Sequence, residues 1–281
     1  MSTVLPAHPL QLPRLAEAKN VDDVLRNVDQ IVDWAIDEQS HLGYFAVVYR
    51  RVTLTIRQAI DAGQFKDGTR VARLDVAFAQ RYFNALNAYF YPSEYQGGLT
   101  LPWEVAFTGD QERKAIILQH LMSAFNAHIS FDLGMACWEI AADSLETLEN
   151  DFNRVNALLC SQMPGMVAVM QRLSPEMRWT RRLIPDELGV FDRMLTRLRK
   201  EAWSFAEYMA RHPEKAERCQ VHKLALTAAT GSRYLQPPTQ FGLLPALTHA
   251  IGRHESRNVA DNIRAFEDLS KTPDKLDERY L

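Results

Sequence analysis

Cysteine is scarce in this chain. Cys137, Cys160 and Cys219 are the only three in 281 residues. They stand far apart and form no CxxC pair, so neither a disulfide framework nor a thiolate metal site is expected. No stretch reaches the roughly eighteen consecutive apolar residues of a membrane span. The first residues, MSTVLPAHPLQLPRLAEAKN, lack a basic segment followed by an apolar core, so no secretory signal is expected and a reducing cytoplasm is the default. The net charge of −3 is too small to suggest a nucleic-acid partner. GxGxxG, Walker A, GxSxG and HExxH patterns are absent, as are the paired ExxH motifs of a ferritin-like di-iron bundle. Dinucleotide, nucleotide, serine-hydrolase and zincin readings therefore have no footing.

What is present is helical periodicity. With 47% hydrophobic and 24% charged residues the composition is that of an ordinary globular protein. Over 21–38 the apolar positions Val21, Val24, Leu25, Val28, Ile31, Val32, Ala35 and Ile36 follow the i, i+3, i+4 rule. Further helices are expected over 43–62, 69–91, 144–172, 185–211, 213–231 and 246–267, with one interrupted helix over 110–142. The β-branched run in GYFAVVYRRVTLTIRQAIDA (43–62) is too long without a turn signal to be a strand. Pro and Gly mark loops at 91–103 and 235–245, and breaks or kinks at QMPGM (162–166) and LSPEMRW (173–179). No period-2 run and no internal repeat survives inspection. The expectation is an all-α, bundle-like single domain with long connecting loops. It divides into an N-terminal extension (1–20), a helical core (21–165), C-terminal helices packed on that core (166–269) and a polar tail (270–281).

Polar residues then stand out on apolar faces. On 110–142 one stripe runs Ile117, His120, Ala124, His128, Phe131, Met135, with Leu121 and Asp132 beside it. His120 and His128 are separated by roughly 12 Å of helical rise, too far to share one ion but close enough to line one pocket. His128 and Asp132 are at i, i+4. Asp75 falls inside the stripe Val71, Leu74, Phe78, Ala79, Tyr82, Leu86, and Asn156 among Phe152, Val155 and Leu159. A buried carboxylate or amide without a partner costs several kcal/mol. Asp75, His128, Asp132 and Asn156 are therefore expected to satisfy one another, a metal ion or a ligand.

Three segments, LDVAFAQRYFNAL (74–86), NAHISFDLGMA (126–136) and DFNRVNALL (151–159), carry a resemblance, together with YRRVT (49–53) and Pro102-Trp103. In this order they resemble an uncharacterised bacterial family, a domain of unknown function, over roughly 41–160. The resemblance implies a helical fold and a polar cluster at Asp75, Asn126, His128, Asp132 and Asn156. It brings no reaction with it.

Two functional readings follow. In the first, an enzyme acts on a small organic molecule in an apolar pocket walled by Tyr82 and Trp103. His128 is base or ligand, Asp132 its partner, Asp75 an acid or ligand, and Asn126, Asn156 and His120 contact the substrate. A divalent zinc, iron or manganese ion at His128, Asp132 and Asp75 would suit this set, with His120, His41 or Glu139 as further ligands. In the second, the same residues form a structural hydrogen-bond network in a protein that binds an apolar metabolite or a partner. Two other features have bland readings. Cys137 reads as a packed thiol and GRHESRN (252–258) as a solvated helix turn. Arg178, Arg181 and Arg182 in RWTRRLIPDE could clamp an anion or simply be solvated.

Overall fold

The computed structural model describes residues 11–95, 97–112, 115–141, 143–177, 186–238 and 242–280. Every regular element among them is a helix and none is a strand. The α-helices are α1 (Val21–Asp37), α2 (Leu42–Asp61), α3 (Gly68–Phe90), α4 (Leu101–Glu112), α5 (Ile117–Ala127), α6 (Leu133–Ala141), α7 (Leu145–Leu173), α8 (Glu187–Arg211), α9 (Ala216–Leu235), α10 (Leu243–His254) and α11 (Val259–Ser270). A π turn, His128–Asp132, joins α5 to α6. No described helix is long and apolar enough to cross a membrane.

Helix α2 is the axis of the fold. Tyr44, Phe45, Val47, Val48, Tyr49 and Ile56 are buried on different sides of it, as expected of a helix packed all round. It contacts α1, α3, α5, α7 and α11, which explains why a β-branched run folds as a helix here: tertiary packing overrides a weak intrinsic preference. Helices α8 and α9 close the other side, α8 on α6 and α7, α9 on α4 and α5. Gly134 permits the α8 approach, because a Cβ there would meet the Phe205 ring at 2.5 Å and the Ala202 carbonyl at 2.8 Å.

Both ends of the described chain are tied to this frame. Residues 11–20 form a strap, with Leu12 and Leu15 buried and the Leu15 backbone bonded at N–H and C=O by the Asn87 amide, both at 2.9 Å. The tail beyond Ser270 lies along α7: Asp274 N–H donates to Gln162 Oε1 at 2.9 Å and Asp277 N–H to Ser161 Oγ at 2.9 Å. Arg51, buried in α2, holds Asp274 at 2.7 Å and the Leu269 carbonyl.

Four sequence expectations need correction. Pro164 does not break a helix; α7 runs through it. The interruption expected within 110–142 lies between α4, which ends at Glu112, and α5, which begins at Ile117. The expected loop 91–103 gives way to α4 at Leu101, with Pro102 in the first turn, where a missing N–H is harmless. The stretch 246–267 is divided between α10 and α11 at the RHESRN segment. Glu255 there is not merely solvated: it accepts from Ile117 N–H at 2.8 Å, capping α5, and from the Ser174 hydroxyl.

Candidate functional site

The site is built at the π turn. One inserted residue lets Leu133 N–H reach the His128 carbonyl, an i to i−5 bond. Such bulges are rare and recur at functional sites. Here the turn carries His128 at its start and Asp132 at its end, 2% and 1% exposed. Their side chains meet at 3.3 Å, Nδ1 to Oδ2. Two further donors fix the carboxylate: Trp103 Nε1 to Oδ2 at 2.7 Å and Arg81 Nε to Oδ1 at 3.3 Å. Trp103 lies in the first turn of α4, next to Pro102.

Because a carboxylate only accepts, the His128 proton is placed on Nδ1 and the Nε2 lone pair is left free. Nε2 is buried and has no hydrogen-bond partner. The ring lies flat on Phe78, with centroids 3.6 Å apart and 9° between planes, and meets the edges of Tyr49 at 5.0 Å and Phe45 at 5.4 Å. Burial in this aromatic cage pushes the imidazole pKa down, outweighing the pull of Asp132.

One turn before Phe78, on α3, Asp75 is 4% exposed, and neither carboxyl oxygen has a partner. Desolvation pushes its pKa up to about 7. The Tyr49 hydroxyl is also buried, with Thr53 as its side-chain neighbour, and burial together with the Asp75 charge raises its pKa well above the usual phenol value. Tyr49 thus faces the His128 ring on one side and feels the Asp75 charge on the other.

Beside this polar island lies an apolar cavity of about 80 Å³. Phe45, Tyr49, Phe78 and His128 wall one part of it and Met163, Met166, Met170 and Met194 another. Leu195, Leu198 and Arg199 of α8 complete it.

The residues singled out in the sequence do not all converge. His128 and Asp132 are bonded, but Asp75 shares no hydrogen bond with either. Among the described residues no group of three or more His, Cys, Asp or Glu side chains is placed to hold a metal ion. The expected His128, Asp132 and Asp75 ligand set is thus not assembled. Asn156 faces the other side of α7, in an outer groove, with its amide donating to Thr196 at 3.3 Å. Asn126 ties α5 to α9 by donating to the Thr227 carbonyl at 2.7 Å. His120 stacks on His41 at 4.6 Å, and both line a separate cavity of about 20 Å³ with Tyr82 and Trp103. Glu139 is exposed. The arginines Arg178, Arg181 and Arg182 lie outside the described residues.

Three contributors were not anticipated. Tyr49 leads the YRRVT segment, which was the one available hint. Arg81 sits next to Tyr82 in an otherwise apolar stretch. Arg199 is buried within a helix whose charged sequence reads as solvated.

These features define a helical domain with a buried imidazole–carboxylate pair beside an apolar cavity. The chain belongs to a family of unknown function (DUF5995), whose model matches residues 21–237, beyond both ends of the 41–160 stretch that carries the motifs. No curated protein and no solved structure matches it.

Proposed function

We propose that this domain is an enzyme of the acid–base type, acting on a small, largely apolar organic molecule. His128 is the general base and Asp132 fixes its tautomer. Asp75, carrying its proton, is the hydrogen-bond donor or acid, and the Tyr49 hydroxyl is a second donor. The reading rests above all on one observation: Asp75 and His128 each keep buried polar atoms without a hydrogen-bond partner among the described residues, and both bear on Tyr49, which with His128 lines an apolar cavity. Each such atom costs about 1–3 kcal/mol of stability. A fold that carries several of them together has a use for them beyond stability.

The electrostatics support the same assignment. Burial depresses His128 below 6.5 and raises Asp75 to about 7, so between those values the histidine is the neutral partner and the aspartic acid the protonated one. That inverts the order of the two groups in water and is the pattern of paired acids and bases in active sites. The free thiols of Cys137, Cys160 and Cys219 accord with a reducing compartment.

The face-to-face packing of His128 on Phe78 favours a second reading, in which the island binds a ligand without transforming it. Incubation of a metabolite extract with the wild type, His128→Gln and Asp75→Asn, followed by mass spectrometry, separates the two. Consumption of a compound by the wild type alone supports the enzyme. Retention of a compound without consumption supports the binding protein. Equal profiles for all three proteins would remove both.

A further inference from the structure

Arg199 is a buried cation with no counter-ion among the described residues. It projects from the middle of α8 and is 4% exposed. Its guanidinium lies over the Phe152 ring at 4.3 Å and one Nη donates to the Phe152 carbonyl at 3.3 Å. Nε has no partner. Two other arginines that reach inward hold carboxylates, Arg51 with Asp274 and Arg81 with Asp132. Among the described residues Arg199 has none.

Its electrostatic neighbours are the thiols of Cys137 and Cys160. Burial pushes these up to about 12 and about 11, so neither supplies a negative charge at neutral pH. Burial also lowers Arg199, to about 10, which leaves it protonated. Isolating a charge in this way costs several kcal/mol unless an anion joins it.

The placement of Arg199 indicates where that anion sits. Its side chain lines the methionine-walled cavity and also the polar groove between α7 and α8 that holds Asn156 and Thr196. It therefore stands where an apolar chamber meets a polar one. We infer that Arg199 anchors the carboxylate of an apolar monocarboxylic acid whose hydrocarbon body occupies the cavity. This rests on the reading of that cavity as a ligand site and names the ligand class.

A monoanion fits better than a phosphate. One guanidinium balances one charge and presents two parallel N–H donors to a carboxylate. A phosphate dianion would leave surplus charge against apolar walls. The cavity, about 80 Å³, is smaller than the roughly 150 Å³ that accommodates benzene in an engineered core. Methionine side chains, unbranched with three rotatable bonds, are suited to making the extra room.

Calorimetric titration of the whole protein with sodium octanoate and with 1-octanol at pH 7.5 tests the inference, using Arg199→Met and the cavity-filling Met166→Trp. The wild type should bind octanoate at least tenfold more tightly than octanol. Arg199→Met should lose that preference, and Met166→Trp should bind neither. Equal affinity of the wild type for the two ligands, or an intact preference in Arg199→Met, overturns the anchor. Octanol binding that Met166→Trp abolishes, without any preference for the acid, leaves the cavity reading standing while removing Arg199. Failure of both ligands to bind the wild type removes both. Should Arg199→Met not fold, the acid-to-alcohol ratio of the wild type and the loss of both ligands in Met166→Trp still decide.

Discussion

Asp132 accepts from His128 across a single π turn, 3.3 Å from Oδ2 to Nδ1, while Trp103 donates to the same oxygen at 2.7 Å. One carboxylate thus binds the π turn to α4 and, through Arg81, to α3. Asp132→Asn breaks this junction. The amide keeps one acceptor oxygen and turns an NH2 toward groups that are themselves donors. Loss of about 3 kcal/mol is expected, as for other buried charge networks deprived of one member. Urea denaturation measures it. A loss under about 0.5 kcal/mol would mean that the carboxylate is not the organising group.

The same contact fixes the imidazole tautomer. Long-range proton–nitrogen NMR should find His128 with its proton on Nδ1 and a bare Nε2 at pH 7. In Asp132→Asn the preference should weaken, because the amide can offer either a donor or an acceptor to Nδ1. A proton on Nε2 in the wild type would contradict the assigned base.

Much of this was legible in the sequence, and the reasons for the rest are physical. Amphipathic spacing exposes the helices, and the i, i+4 interval of His128 and Asp132 exposes their contact. Spacing along one helix cannot say which residue of another helix is opposite. That is why Asp75 was placed with His128 although its oxygens meet no partner. Asn156 was misjudged for a related reason: it lies at the edge of the apolar stripe of α7 and rotates outward to Thr196. The π turn itself has no clear signature, since an assumed period of 3.6 hides one inserted residue. Arg199 is hidden by its neighbours, for RLRKEAW reads as a solvated run until α8 is packed on α7.

Asp75 should make stability fall as pH rises. An unfolded aspartic acid loses its proton near 3.8, whereas the folded one holds it to about 7. Between these values the native state binds more protons, so unfolding free energy declines with pH and levels off above the upper value. The difference corresponds to a penalty of order 4 kcal/mol at pH 8. Asp75→Asn, nearly isosteric with the protonated acid, should match the wild type at pH 4 and exceed it at pH 8. Parallel stability curves for the two proteins would show that Asp75 ionises freely.

His128 should act in the opposite sense, and the two contributions offset each other where their pH windows overlap. An unfolded histidine takes a proton below about 6.5, while burial keeps the folded imidazole neutral to lower pH. In that window the unfolded state binds more protons at this site, so the stability that the neutral ring contributes declines as pH falls from 6.5. His128→Phe retains a ring able to stack on Phe78 and carries no titrating nitrogen. It should remove the opposing slope, so that below pH 6.5 the variant loses stability with rising pH more steeply than the wild type, the Asp75-dependent decline remaining. At pH 7 two effects compete: the variant loses the Nδ1 contact to Asp132 but removes the unpartnered Nε2. If the ring is kept for function, these offset and the melting temperature stays level or rises, with ligand retention lost. If the ring serves only packing and its network, the variant melts lower, by the equivalent of about 2–4 kcal/mol, and retains whatever the wild type binds. A melt combined with mass spectrometry of bound molecules therefore separates a working histidine from a structural one.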